Sequence, residues 1–308
     1  MRRCEADCYR MAAQLRSRIA ELFGGEPAET LILCPGILIG LQALFSNLDV
    51  KRVALSDEEY YGQIHFPHLA TEAFAIDELI GRVRDWKPDA VVLSLVTWRG
   101  RVIPLAEIFR ELRAELKEET PLLIADYSHG GAVGFPDMAG LNADIVCGDP
   151  LKWIAKPDEE TRLAFLRIRE GALLEKALRV FRPFFLATAE QQEQLLARWL
   201  DPREIQDAVE GLSRLDRGTL ASRHAQNLSL ARQLGFELGV SEHVQSSILW
   251  LGEGRPLPEW LARSGLVWKA PGGGVRILCR AEIEAGSKLP RAHAPRLSGI
   301  HGPRPLGW

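Results

Sequence analysis

The stretch LLIADYSHGGAVGFPDMAGLNADIVCGDPLKW, residues 122–153, limits most strongly what this chain can fold into. It opens on a short apolar run, Leu122 to Ala125, that reads as a strand buried on both faces of a parallel sheet. The run ends in an acid, Asp126, and His129 follows three residues later. A second apolar run, Ala143 to Cys147, leads to Lys152. An acid, an imidazole and an amine are thereby expected at the ends of neighbouring strands.

That combination has a definite chemical use. A lysine amine condenses with an aldehyde to form a Schiff base. An acid facing a pyridine nitrogen keeps it protonated, so that the ring accepts electrons from a substrate carbanion. These are the requirements of a pyridoxal phosphate (PLP) site. The apolar neighbours of Lys152, Leu151 and Trp153, suit a dry pocket, where desolvation lowers the amine pKa and favours the neutral nucleophile.

The rest of the chain is patterned in the same way. Short runs at Thr30–Leu33, Arg52–Leu55 and Ala90–Val96 read as strands. Helical periodicity covers residues 5–23, Ile37–Phe45, Ile76–Val83 and Leu105–Glu118. Strands alternating with helices predict an α/β fold with a mainly parallel sheet flanked by helices. Beyond Lys156 the character changes. Helices are expected over Gly171–Phe181 and Ala189–Trp199, and Pro202–Leu234 reads as long and mostly helical; strands are expected over Val244–Leu251 and Val275–Cys279. The predicted organisation is a large domain over 1–205, a small C-terminal α+β domain over 206–290, and a Pro-, Gly- and Arg-rich tail over 291–308, expected to be poorly ordered unless docked.

Composition excludes several classes of function. A net charge of −3 argues against nucleic acid and anionic membrane surfaces as partners. No run approaches a membrane span, and MRRCEADCYRM lacks the apolar core of a secretory leader. The cysteines Cys4, Cys8, Cys34, Cys147 and Cys279 are odd in number, so the expectation is a cytoplasmic protein with free thiols and no metal site.

On Ala125-Asp126-Tyr127-Ser128-His129 and Leu151-Lys152-Trp153, the chain resembles the class V aminotransferase superfamily of fold-type I PLP-dependent enzymes, on its kynureninase and isopenicillin-N-epimerase side. The resemblance runs from about Arg10 to Arg276. It implies that Lys152 carries the cofactor, that Asp126 pairs with the pyridine nitrogen and that His129 sits beside the ring. It puts the phosphate at the turn Cys34-Pro35-Gly36-Ile37-Leu38, where Gly36 and Ile37 open a helix whose free N–H groups bind anions. Ser128 is a further phosphate donor, Tyr61 or Tyr60 covers the ring, and Thr97 reaches the cofactor hydroxyl. Arg276, after the glycines at 272–274, grips the substrate carboxylate; Arg99 and Arg101 read as surface or structural.

There are departures from the family. Pro35, Ile37 and Leu38 replace the hydroxyl side chains expected at the phosphate turn. Leu151 stands where kynureninases carry a tyrosine and many desulfurases a histidine. Residues 266–275 hold no cysteine, which argues against sulfur mobilisation. The resemblance implies a homodimer that transforms a small α-amino acid through an external aldimine and a Cα carbanion, with kynureninase-like side-chain cleavage as the first expectation. The alternatives are an aminotransferase, epimerase or C–S lyase of the same fold, or a family-derived binding protein without catalysis, motivated by the altered phosphate turn.

Overall fold

The apolar runs become the middle of one sheet. The computed structural model describes residues 2–24, 30–59, 66, 68–149, 152, 163–169, 171–180, 202–240, 244–262, 267–269 and 274–280. Among them a seven-stranded sheet is formed by β1 (Leu31–Cys34), β2 (Arg52–Ser56), β3 (Ala70–Phe74), β4 (Ala90–Ser94), β5 (Leu122–Asp126), β6 (Ile145–Gly148) and β7 (Ala164–Ile168). The order across it is β1-β7-β6-β5-β4-β2-β3. The strands from β6 to β3 pair in parallel, and β7 alone runs against both of its neighbours.

Burial on two faces explains why the central runs lack alternation. Val91 and Leu93 of β4, Leu123 and Ala125 of β5, and Val146 of β6 face one core. Ala90, Val92, Ile124, Ile145 and Cys147 face the other. The first core is covered by α1 (Arg2–Phe23), α3 (Leu79–Trp86), α4 (Leu105–Leu116) and α6 (Pro202–Ser213). The second is covered by α2 (Ile37–Asn47) and α5 (Ala172–Val180). In α4 the buried residues are Leu105, Phe109 and Leu112, one stripe at helical spacing.

Residues 202–234 are mostly helical, in two pieces. The chain breaks at Leu215-Asp216, where the Asp216 carboxylate accepts the Thr219 N–H at 2.6 Å and caps a new helix, α7 (Arg217–Glu237). Position 206, the expected start of the small domain, falls inside α6. That helix packs on α1, where Arg18 Nε donates to the Leu212 carbonyl at 3.1 Å. The segment 189–199 and the tail lie outside the described residues.

A second sheet, order β8-β10-β9, is antiparallel and joins β8 (Ile248–Leu251), β9 (Val267–Lys269) and β10 (Val275–Leu278). It packs on the C-terminal part of α7 and on α8 (Glu259–Ala262) through Ala231, Leu234, Leu249, Leu261 and Ile277. Hydrogen bonds tie its leading edge to the large sheet's loops. Ser247 N donates to the Ala132 carbonyl at 3.0 Å, Ser246 Oγ to the Gly100 carbonyl at 2.9 Å, and Val102 N to Gln245 Oε1 at 3.0 Å. Gly100 is needed here. Its φ is +82°, and a Cβ would lie 2.5 Å from the Ile248 carbonyl oxygen. Gly100→Ala is expected to cost about 2–3 kcal/mol, through left-handed strain and a backbone clash that no rotamer change relieves. Urea denaturation of the two proteins measures it; equal midpoints would refute the close approach.

Candidate active site

The C-terminal ends of β4, β5 and β6 bring the site together, and their register sets its first row. Ser94 lies opposite Asp126, and Asp126 opposite Cys147. Asp126 is the last residue of β5 and is buried. Its Oδ1 accepts the Ser128 N–H at 2.7 Å and also the Ser128 hydroxyl, an aspartate turn that fixes the carboxylate as the strand ends. The Ser128 hydroxyl is therefore engaged on Asp126.

Lys152 follows β6. Its side chain is exposed by surface area, yet enough protein surrounds the amine to strip much of its hydration. Its pKa is lowered, first by that desolvation and then by Arg276, while the charges of Asp126 and Asp149 pull it back up. Asp126 and Lys152 are thus close enough for their charges to interact.

His129 and Arg276 complete the cluster from two different sheets. His129 is buried where β5 runs into a short 3₁₀ turn, Gly130–Val133. Arg276, buried in β10, reaches across with its guanidinium hydrogen-bonded to His129 Nε2. Arginine can only donate, so Nε2 accepts and the imidazole proton sits on Nδ1. Burial, and then the charges of Arg276 and Lys152, hold the imidazole well below its usual pKa, so it stays neutral. The other side of the guanidinium lies over the Trp98 ring, 4.4 Å from its centroid.

The remaining expected residues are placed as follows. Gly36 caps α2 with φ 144°, a value that favours glycine, and an added Cβ there would meet nothing within 4 Å. Ile37 is the first residue of that helix and packs, half-buried, on the second core. Thr97 is fully buried, but its Oγ1 donates to Glu58 Oε2 at 2.9 Å and accepts the Arg101 N–H at 3.2 Å. Its hydroxyl is thus engaged within the protein. Arg101 pairs with Asp77 at 3.3 Å, and Arg99 is exposed. Tyr60 and Tyr61 lie outside the described residues. Among the described residues no group of acids, histidines and cysteines suits a metal ion.

Two residues of the site have no signal in the sequence. Trp98 covers the arginine. Glu59 is the other: it stands in a run of acids, SDEE, that reads as a solvated loop, yet it is only 4% exposed. Its Oε1 accepts the Ser94 N–H at 2.7 Å, and its Oε2 is hydrogen-bonded to the Ser94 hydroxyl. Burial first, and then the charges of Asp126 and Glu58, push its carboxyl up to about 8 against the pull of the Ser94 hydrogen bonds.

No protein-family model matches this sequence, and no curated protein matches it. Solved structures do match its fold. Cysteine desulfurase from Thermococcus onnurineus NA1 is 15% identical with a TM-score of 0.63, covering 89% of this chain and 80% of that one. Alanine–glyoxylate aminotransferase from Nostoc sp. is 13% identical with a TM-score of 0.62, covering 88% and 81%. The fold is fold-type I. A mutant of C-DES, with glycine covalently linked to its PLP cofactor, is also similar, at 17% identity and a TM-score of 0.64 over 89% of this chain and 82% of that one. Identities this low show a shared architecture. In this fold-type I chain the acid, the imidazole and the amine all lie at the carboxyl edge of the large sheet, where open α/β sheets bind ligands.

Proposed function

We propose that this protein is a PLP-dependent enzyme acting on a small α-amino acid. One observation carries the reading: the Lys152 amine, its pKa lowered, lies within reach of the charges of Asp126 and of the buried Arg276. Those side chains fit the cofactor's two reactive ends. Lys152 would hold it covalently, and Asp126 would hold its ring nitrogen. The open helix start at Gly36 and Ile37 would receive the phosphate on backbone N–H groups. His129 would sit beside the ring, and Tyr61 or Tyr60 would cover it. When bound, PLP supplies an electron sink for charge that develops on the substrate's α-carbon.

The chain's own residues do the rest. Arg276 grips the substrate carboxylate and so fixes which bond on the α-carbon faces the ring. Lys152, once its amine is free, takes and returns the α-proton. Its lowered pKa keeps a larger neutral fraction near neutral pH than an ordinary lysine has. The proposal covers the amino-acid substrate and the broken Cα–H bond. Aminotransfer, epimerisation, elimination and kynureninase-like cleavage share those steps, and kynureninase-like cleavage has no particular support among the similar structures. A homodimer in the cytoplasm belongs to the same proposal; no described helix is long and apolar enough to cross a membrane.

A second reading, a binding protein without catalysis, is favoured by the phosphate end. The turn Cys34 to Leu38 that opens α2 carries no hydroxyl side chain, and that of Ser128 is spent on Asp126. One experiment separates the two. The protein is incubated with PLP, reduced with borohydride and digested. The label is expected on the peptide containing Lys152, with a yellow protein before reduction. A colourless protein with no label would favour the binding protein, and a label confined to other lysines would refute the role of Lys152.

A further inference from the structure

Glu59 lies just beyond β2 and is held against the end of β4, the strand that pairs with β5 at Asp126. Both of its oxygens are used on Ser94, through the backbone N–H and the hydroxyl. The charged groups facing it are Asp126 from the end of β5 and Glu58 from its own loop; Cys147 of β6 lies near enough for Glu59 to act on its thiol. Glu58 has its own partners, the Thr97 hydroxyl and Arg101, the latter at 3.8 Å. No cation forms a salt bridge with Glu59 among the described residues. Two carboxyls in one dry row, one with no counter-ion among the described residues, favour a shared proton. Asp126 has Lys152 near it and accepts two hydrogen bonds from Ser128. Glu59 has burial against its charge. A protonated Glu59 also satisfies its site, because the Ser94 hydroxyl can accept from Oε2–H while Oε1 accepts the backbone N–H.

We propose that Glu59 is a positioning residue: it holds the single proton of a buried carboxyl pair and so leaves the pair's negative charge on Asp126, the acid placed to meet the ring nitrogen. The use made of Asp126 rests on the proposed function; the location of the proton does not.

The test has two arms on the full chain. The first uses cofactor-free protein and infrared spectra between about pH 6 and pH 9. The wild type is expected to show the carbonyl stretch of one buried protonated carboxyl, lost with a midpoint near 8. Glu59→Gln is expected to lack the band, and Asp126→Asn to keep it. A wild type without the band at neutral pH, or a band that survives Glu59→Gln and vanishes in Asp126→Asn, overturns the proposal. Wild type and Asp126→Asn suffice if Glu59→Gln does not fold. The second arm measures PLP uptake. Glu59→Ala, which leaves the Ser94 N–H unpaired, is expected to weaken it about tenfold, and neutral Glu59→Gln to restore most of the loss. A glutamine no better than alanine means that the anionic form is required, which overturns the proposal. If the wild type takes up no PLP, the proposed function fails while the infrared arm still reads the proton.

Discussion

Lys152→Ala is expected to lower turnover of any amino-acid substrate by about 10²–10⁴-fold, the usual loss when a positioned proton-transfer group is removed. The fold should not suffer. The Lys152 side chain is exposed and makes no hydrogen bond or salt bridge with the described residues, so its removal belongs among surface changes of about ±0.5 kcal/mol. The wild-type amine also has a pH signature. Because its pKa is lowered, it loses its proton earlier on an alkaline titration than a free lysine does. Borohydride-trapped labelling by PLP should therefore rise with pH and level off below the range of about 10.4 typical of solvated lysine. A plateau at or above that value would mean that the amine stands in open water.

Asp126→Asn is expected to lower turnover by about 10²–10³-fold with little change in shape. Asparagine Oδ1 can accept the same Ser128 N–H and hydroxyl, so the turn after β5 keeps its hydrogen bonds. What disappears is the charge. The Asp126 carboxylate raises the Lys152 pKa, so its removal lowers that pKa further and moves the labelling plateau to lower pH. Circular dichroism checks the shape, steady-state rates check the loss, and the labelling profile checks the neighbourhood. A plateau that stays in place would show that the two groups do not interact.

The central strands were legible because sandwiching between two cores makes β4, β5 and β6 apolar without interruption. The sequence reading missed three strands, each for a physical reason. β7 carries Arg167, a charge that breaks the run although the fold buries it. β3 is an edge strand with largely exposed side chains, and β9 spans only three residues. The helix break at Asp216 was also missed, because a cap within a favourable pattern looks like one more polar position. In the site, the acid, the imidazole, the lysine and the arginine could be named, since each ends or follows a readable element. The hydroxyls of Ser128 and Thr97 could be seen, but which acceptor each would reach is decided by tertiary contact. Glu59 was hidden for the same reason: nothing local distinguishes a solvated acid from one that a neighbouring strand will enclose.

The contact between Arg276 and His129 spans 147 positions of the chain, and the seam from Ser246 to Gly100 spans 146. Closing loops of that size is slow, so these pairings form late, after local helices and adjacent strands have already condensed. A freshly made chain therefore acquires most of its secondary structure before Arg276 meets His129, and during refolding this junction between the two sheets closes after the backbone signal has recovered.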